Sequence, residues 1–450
     1  MSEYNFYDTL RGFANGNPLR LCMPGHKGKA LPMPEWNAVA RLDFTELTPT
    51  GNLYGDGDDW LEEAQRLWAW DWCMDAAFFA TAGSTQGNLT LLRLFTTQGD
   101  TVLVDRVSHK SIHHGLALFD LRPVWLEREW DSRSAVTGAL TPDALERAFA
   151  DHPEAKAVVV TSPTFYGVLS DLDALAEVCH AHGAKLLVDG AHGAHLPLVL
   201  DRPKNCLIGH NPYKNCDGVT VSTHKTLPAP GQTAVILANG VGIADLRRAS
   251  ALTSTTSPSF PMMAALDRLR AWMHEDEART AYRACAQAVA LLREIYPSLP
   301  RSDLDPCRFT LQVPNGYALA QKLEELGVYV EMADVYHAVC IFTHADGQES
   351  FARFCAALDA LEVLTLPSCV PELDAPPLPE QAITPREAEF AAKAERPLLY
   401  AEGRICADCV APYPPGVPVI APGERVDKKT LAYLGDLCYD VNSSIMTVAE

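Results

Sequence analysis

The chain has 450 residues, 48% hydrophobic and 21% charged, with a formal net charge of −20 at neutral pH. That length buries a large core and sets an expectation of two or three domains, and the composition excludes a disordered chain. The acidic balance speaks against nucleic acid and anionic membrane surfaces, which are met by basic patches.

The opening "MSEYNFYDTLRGFANG" has no basic stretch followed by an apolar run, so no leader is expected. No stretch approaches the ~20 apolar residues of a bilayer span. Thirteen scattered cysteines, an odd number, fit a reducing cytoplasm better than a disulfide framework. Cys406 and Cys409 in "CADC" lack the second pair or spaced histidines of a zinc site, so they read as ordinary thiols and no metal is expected.

From about Phe78 to Leu237 the pattern alternates strand, loop and helix. "TVLVDR", "KAVVVTSP", "KLLVDGAHG" and "DGVTVSTHK" are short β-branched runs, suited to buried strands. Between them, "TPDALERAFADH" offers Thr141 as N-cap with Pro142 at the first helical position. "DLDALAEVCHAHG" puts Leu172, Leu175, Val178 and Cys179 on one helical face and stops at Gly183. Such alternation predicts an α/β fold with a mostly parallel sheet covered on both faces, whose chemistry gathers at the carboxyl ends of the strands.

Past Ala251 a long helical pattern covers roughly Met262–Ile295. A mixed section follows, with strands at "RFTLQV", "VYVEMAD" and "HAVCIFT" and a helix at "GYALAQKLEELG". The Pro-rich stretch Leu366–Pro385 reads as a linker, ending in a capping box of Thr384, Pro385 and Glu387, and a last helix is predicted near Asp427–Asn442. The expected division is an N-terminal segment over 1–50, a large domain over 51–295, a small α+β domain over 296–365, the linker over 366–385 and a C-terminal domain over 386–450.

Asp189 and Lys225 each follow a buried strand pattern. A pyridoxal phosphate enzyme needs a lysine to carry the cofactor and a carboxylate to keep its ring nitrogen protonated. It also needs a phosphate cradle, and "TAGSTQGN" (Thr81–Asn88) offers a small-residue turn with Ser84 and Thr85 opening a helix. His109 in "DRVSHKSIHHG" offers a flat ring after a strand. Taken singly, Asp189 reads as a helix cap, His109 as a loop histidine and Lys225 as a surface lysine. The order phosphate loop, histidine, aspartate, lysine at successive strand ends is what argues for a cofactor site.

In that order the chain resembles the Orn/Lys/Arg decarboxylases, along nearly its whole length. "LCMPGHKGK" and "DFTEL" come first, then "GSTQGN", "SHKSIHHG", "SPTFYGV", "VDGAHGAH" and "STHKTLPA", with "TTSPSF" and "YPPGVPVIAPGE" later. The resemblance implies a pyridoxal-phosphate enzyme of fold type I, the aspartate-aminotransferase fold, with a central mostly parallel seven-stranded sheet and smaller α+β C-terminal domains. It implies that Lys225 carries the cofactor, that His224 beside it contacts a carboxylate or moves a proton, and that Ser84, Thr85 and Ser222 hold the phosphate. His109 is then the residue stacked on the ring, Asp189 the partner of its nitrogen, Ala191 the small residue packed under it and His192 a near neighbour. A homodimer or larger homo-oligomer is expected, since fold-type-I sites are built at a subunit interface, with "PGHKG" and "TTSPSF" the candidate segments completing the neighbour's site. The first landmark comes at Pro24, as in members without an N-terminal wing domain.

"TPTGNLYGDGDDW" and the "PAPGQ" that follows Lys225 depart from the family pattern, near the substrate mouth rather than the cofactor. The expected reaction is decarboxylation of lysine, arginine or ornithine to the corresponding amine. Two readings stand beside it. One is an aminotransferase, with Arg308 gripping the substrate carboxylate; the other is a non-catalytic, cofactor-binding regulator. A cationic substrate end needs a carboxylate partner. Glu424 in "PGERV" is the first candidate, followed by Glu46 in "DFTEL" and Asp56 and Asp58 in "YGDGDD".

Overall fold

The computed structural model describes residues 6–29, 31–47, 49–55, 59–200, 204–367, 373–412, 418–440 and 442–449. Among them the strands are β1 (Ala76–Ala80), β2 (Thr101–Asp105), β3 (Arg122–Leu126), β4 (Trp130–Asp131), β5 (Val136–Thr137), β6 (Ala157–Thr161), β7 (Lys185–Asp189), β8 (Gly218–Val221), β9 (Ala234–Ala238), β10 (Arg308–Gln312), β11 (Met332–Ala333), β12 (His337–Ile341), β13 (Lys393–Pro397) and β14 (Ser444–Val448). Seven of them form one mixed sheet in the order β1-β9-β8-β7-β6-β2-β3.

The chain divides into two compact units, Met1–Leu94 with Gly193–Thr280, and Phe95–His192 with Ala281–Glu450. In the first unit β9 runs antiparallel to both β1 and β8. Every residue of these three strands is buried, as expected of short apolar runs covered on both faces. Helix Gly83–Phe95 leaves β1 and packs over β8. The packing is close: a Cβ at Gly87 would lie 2.3 Å from Thr220 Cγ2, so only glycine fits.

In the second unit β2 pairs in parallel with β3 and β6, and β6 with β7. The helices between them are capped by side chains, the first by the predicted Thr141. Thr141 caps Pro142–Asp151 by accepting from the Ala144 N–H at 3.2 Å, and Asp171 caps Leu172–Ala181 through the Ala174 N–H. β10, β12 and β11 form an antiparallel sheet. The Thr384–Glu387 capping box is present and starts helix Pro385–Phe390.

Three details differ from the sequence reading. The long pattern after Met262 is two helices, Phe260–Met273 and Asp276–Ile295, interrupted at His274 and Glu275. The last helix ends at Asp436, and the chain then adds β14, which pairs antiparallel with β13. β13 alternates exposed and half-buried residues and β14 begins with exposed and buried ones in turn, but the charges of "KAERP" hide that period from a hydropathy reading. No helix among the described residues is long and apolar enough to cross a membrane.

Candidate active site

In the first unit the predicted phosphate loop turns directly into helix Gly83–Phe95. Gly83 takes φ +72°, and its N–H donates to the Gln232 carbonyl at 2.8 Å. The tight seat of Gly87 on β8 brings the start of this helix to the end of that strand. Ser84 Oγ and Ser222 Oγ then lie 2.6 Å apart. Ser222 is buried, Ser84 half-buried and Thr85 exposed. Two facing hydroxyls at the positive end of a 13-residue helix make a donor set suited to an anion.

After Ser222 the chain forms one helical turn, Thr223–Thr226, rather than continuing as strand. Lys225 sits half-buried on this turn. Thr223 Oγ1 lies 2.8 Å from Thr233 Oγ1 and donates to the Thr233 carbonyl at 3.0 Å. His224 Nδ1 lies 2.9 Å from the same carbonyl, which fixes the proton on Nδ1 and leaves Nε2 as the acceptor of the neutral ring. Thr233 Oγ1 in turn donates to the Pro230 carbonyl at 2.7 Å. The unusual "PAPGQ" is therefore a loop pinned back onto the lysine turn. Thr233 is the supporting residue that sequence reading passed over, because one threonine at the start of an apolar strand carries no motif.

In the second unit β2 ends at Asp105, whose buried carboxylate takes Arg128 Nε at 3.1 Å and Nη2 at 2.5 Å. Arg128 also donates to the Thr161 carbonyl at 2.6 Å, and the Thr161 N–H donates to Asp105 at 3.1 Å. This network ties together the carboxyl ends of β2 and β6. His109, four residues on, is half-buried and caps helix Lys110–Phe119: its Nδ1 accepts from the Ser111 N–H at 3.2 Å. Nδ1 is thus the acceptor and the neutral ring's proton sits on Nε2. One turn further, His113 stacks on Trp125 at 5.1 Å; burial, then the Arg106 charge, push its pKa down to about 3, so it stays neutral.

β7 ends at Asp189, 4% exposed, with Oδ1 accepting from the Ala191 N–H at 3.1 Å. Ala191 and His192 follow, both buried. His192 Nδ1 lies 3.2 Å from Arg308 Nη2. Arg308 itself is fully buried, donates to the Phe165 carbonyl at 3.1 Å, and runs its stem where a Cβ on Gly167 (φ +93°) would come within 2.7 Å. Burial holds its pKa below the usual guanidinium value. The candidate grip for a substrate carboxylate is therefore already committed to His192 and backbone.

Of the substrate candidates, Glu424 is fully buried and faces Arg106, with contacts of 2.6 and 3.0 Å through its two oxygens, and accepts from the Ala421 N–H at 2.7 Å. Burial pushes its carboxyl up despite the neighbouring guanidinium. The carboxylate expected to meet a substrate cation already has an arginine of its own chain. Glu46 is half-buried, and Asp56 and Asp58 lie outside the described residues. Cys406 is buried and Cys409 half-buried, and burial pushes both thiols up to about 12.

The description "Orn/Lys/Arg decarboxylase, major domain" matches residues 5–309, and "Orn/Lys/Arg decarboxylase, C-terminal domain" matches residues 372–442. An arginine decarboxylase of Bacillus subtilis is 27% identical, over 96% of this chain and 93% of that one. The constitutive lysine decarboxylase of Escherichia coli is 23% identical, over 95% of this chain and 76% of that one. Among solved structures, the lysine decarboxylase LdcF of Francisella novicida aligns with 99% of this chain and 81% of its own, at a TM-score of 0.81 and 18% identity; at that identity the likeness speaks for the fold alone.

Proposed function

Because the chain belongs to the Orn/Lys/Arg decarboxylase family, we propose that it removes CO2 from arginine in preference to lysine or ornithine, giving agmatine. It is a decarboxylase, and pyridoxal phosphate is its cofactor. The observation that carries the arginine reading is coverage: the Bacillus arginine decarboxylase is matched along more of its length than the Escherichia coli lysine enzyme.

The residues fit that cofactor. The Ser84–Ser222 hydroxyl pair at a helix N-terminus suits the phosphate, with Thr85 at the rim. Lys225 is the attachment point, and Asp189 is buried yet already oriented by the Ala191 N–H, as a partner for a ring nitrogen must be. When bound, the cofactor supplies an electron sink for the pair left at Cα as CO2 departs. His109 would hold the ring, and the small side chain of Ala191 would leave room for it; His192 Nδ1 lies 3.2 Å from Arg308 Nη2. Protonation of Cα falls to Lys225 Nζ or to His224 Nε2, the one ring nitrogen of His224 that its bond to Thr233 leaves available. The enzyme works in the cytoplasm as a homodimer or larger homo-oligomer.

The test is product analysis with arginine, lysine and ornithine side by side. Agmatine and CO2 in excess over cadaverine and putrescine support the reading. Keto acid without CO2 overturns decarboxylation, and a larger kcat/KM for lysine or ornithine overturns the arginine preference.

A further inference from the structure

Two thiols of the first unit are interlocked, far along the chain from one another. Cys73 follows helix Trp60–Trp72 in the left-handed conformation, φ 53° and ψ 46°. Glycine is the usual occupant of that position, because a Cβ there costs roughly 1 kcal/mol. Cys73 Sγ lies 3.3 Å from the Asn205 carbonyl, and Cys206 Sγ lies 3.2 Å from the Trp72 carbonyl. Each thiol thus donates to the residue just before the other. These two crossed contacts set the thiols side by side.

The backbone around them is held on both sides. The Trp72 carbonyl accepts a second bond from Asn211 Nδ2 at 2.7 Å, and Asn205 Oδ1 accepts from the Asn211 N–H at 2.9 Å. The Trp72 ring stacks on Tyr213 at 6.3 Å. Cys73 is exposed, whereas Cys206 is buried. An open thiol backed by a buried one, in a rigid frame, is the arrangement of an attacking and a resolving cysteine.

We propose that Cys73 and Cys206 are a modification site, which a peroxide converts to a reversible disulfide. The Cys73 sulfur attacks the peroxide, the O–O bond breaks, and the products are a Cys73 sulfenic acid and water or an alcohol. The Cys206 sulfur then attacks the Cys73 sulfur. An S–S bond forms, the S–O bond breaks, and the departing hydroxide takes the Cys206 proton to leave as water. Two electrons pass from the thiol pair to the peroxide. Cys73 is exposed and Cys206 buried, so Cys73 meets the oxidant first; burial, then the neighbouring Cys73 thiol, push the Cys206 thiol up to about 12. The pair lies at the amino-terminal side of β1 and β8, while Ser84 and Ser222 follow the carboxyl ends of those strands.

The test is independent of decarboxylation. The whole protein is treated with hydrogen peroxide, its remaining thiols are alkylated, and the digest is read by mass spectrometry. The expected product is the Cys73 peptide joined to the Cys206 peptide, lighter than their sum by two hydrogens and released by dithiothreitol. That product is absent from Cys73→Ser and Cys206→Ser and persists in Cys406→Ser. Wild-type protein in which Cys73 stays alkylatable, proceeds to sulfinic acid, or joins a different cysteine overturns the proposal.

Discussion

Arg106 and Glu424 meet across a long stretch of chain through both carboxylate oxygens, at 2.6 and 3.0 Å. Arg106 also lies 4.9 Å from the Trp125 ring centroid and donates to the Val419 carbonyl at 2.8 Å. The pair fastens the C-terminal segment beside the strand end that leads to His109. Removing one partner of a buried pair strands the other charge, which costs about 3–5 kcal/mol. Glu424→Gln is therefore expected to lower stability by about 3 kcal/mol in urea unfolding. The double variant Arg106→Met with Glu424→Gln recovers much of that loss. A Gln variant of unchanged stability but raised KM for basic amino acids returns Glu424 to the substrate role.

Lys225→Ala is expected to fold and to lose the visible absorbance of the covalently held cofactor. Activity falls at least about a thousandfold, the scale of losing both an anchor and a proton carrier. The Thr223–Thr233 and His224–Thr233 bonds hold the turn without the lysine side chain. Borohydride reduction followed by peptide mapping checks the site; label on another lysine overturns the assignment.

The sheet was legible in the sequence because β2, β6, β7 and β8 are short apolar runs separated by capped helices. The Thr141 and Thr384 caps were legible because capping is local chemistry. What was hidden was pairing over distance. Nothing near "PGERV" announces that Glu424 belongs to Arg106, and nothing in "CRFTL" announces that Arg308 is spent on His192 and Phe165. The turn at Lys225 was hidden for a different reason: "VTVSTHK" keeps its β-branched residues past the point where the Thr223 hydroxyl bends the chain back toward Thr233.

Asp189→Asn separates charge from shape. An amide oxygen accepts the Ala191 N–H as the carboxylate does at 3.1 Å, so the loop after β7 is kept and stability changes by under about 1 kcal/mol. The proposed role of Asp189 requires its charge, so turnover is expected to fall by about 10²–10⁴-fold. Absorbance titration should still show cofactor binding. Near-wild-type turnover overturns the role given to Asp189.

Asp267 gives the fold a pH dependence whose sign is fixed by its setting. It lies on helix Phe260–Met273, fully buried, and its Oδ2 accepts the Tyr7 N–H at 2.9 Å, in the first turn of helix Phe6–Asn15. Its Oδ1 has no hydrogen-bond partner among the described residues. Arg270, one turn on, is engaged by Asp71 at 2.9 Å. Burial therefore dominates, and the Asp267 carboxyl is pushed up to about 6, against smaller opposing pulls from the Tyr7 N–H and Arg270. The unfolded chain holds the same group near ~3.9. The fold binds this proton more tightly, so the resulting stability is complete below the unfolded value and is lost as pH rises through the folded one. The gap corresponds to a loss on the order of 3 kcal/mol between about pH 4 and pH 7. Asp267→Asn keeps an acceptor for Tyr7 and removes the titration. Urea unfolding of both proteins across that range should show wild type losing stability relative to the variant, which is the more stable at pH 8. Curves that stay parallel overturn the assignment, because every other titrating group is common to the two proteins.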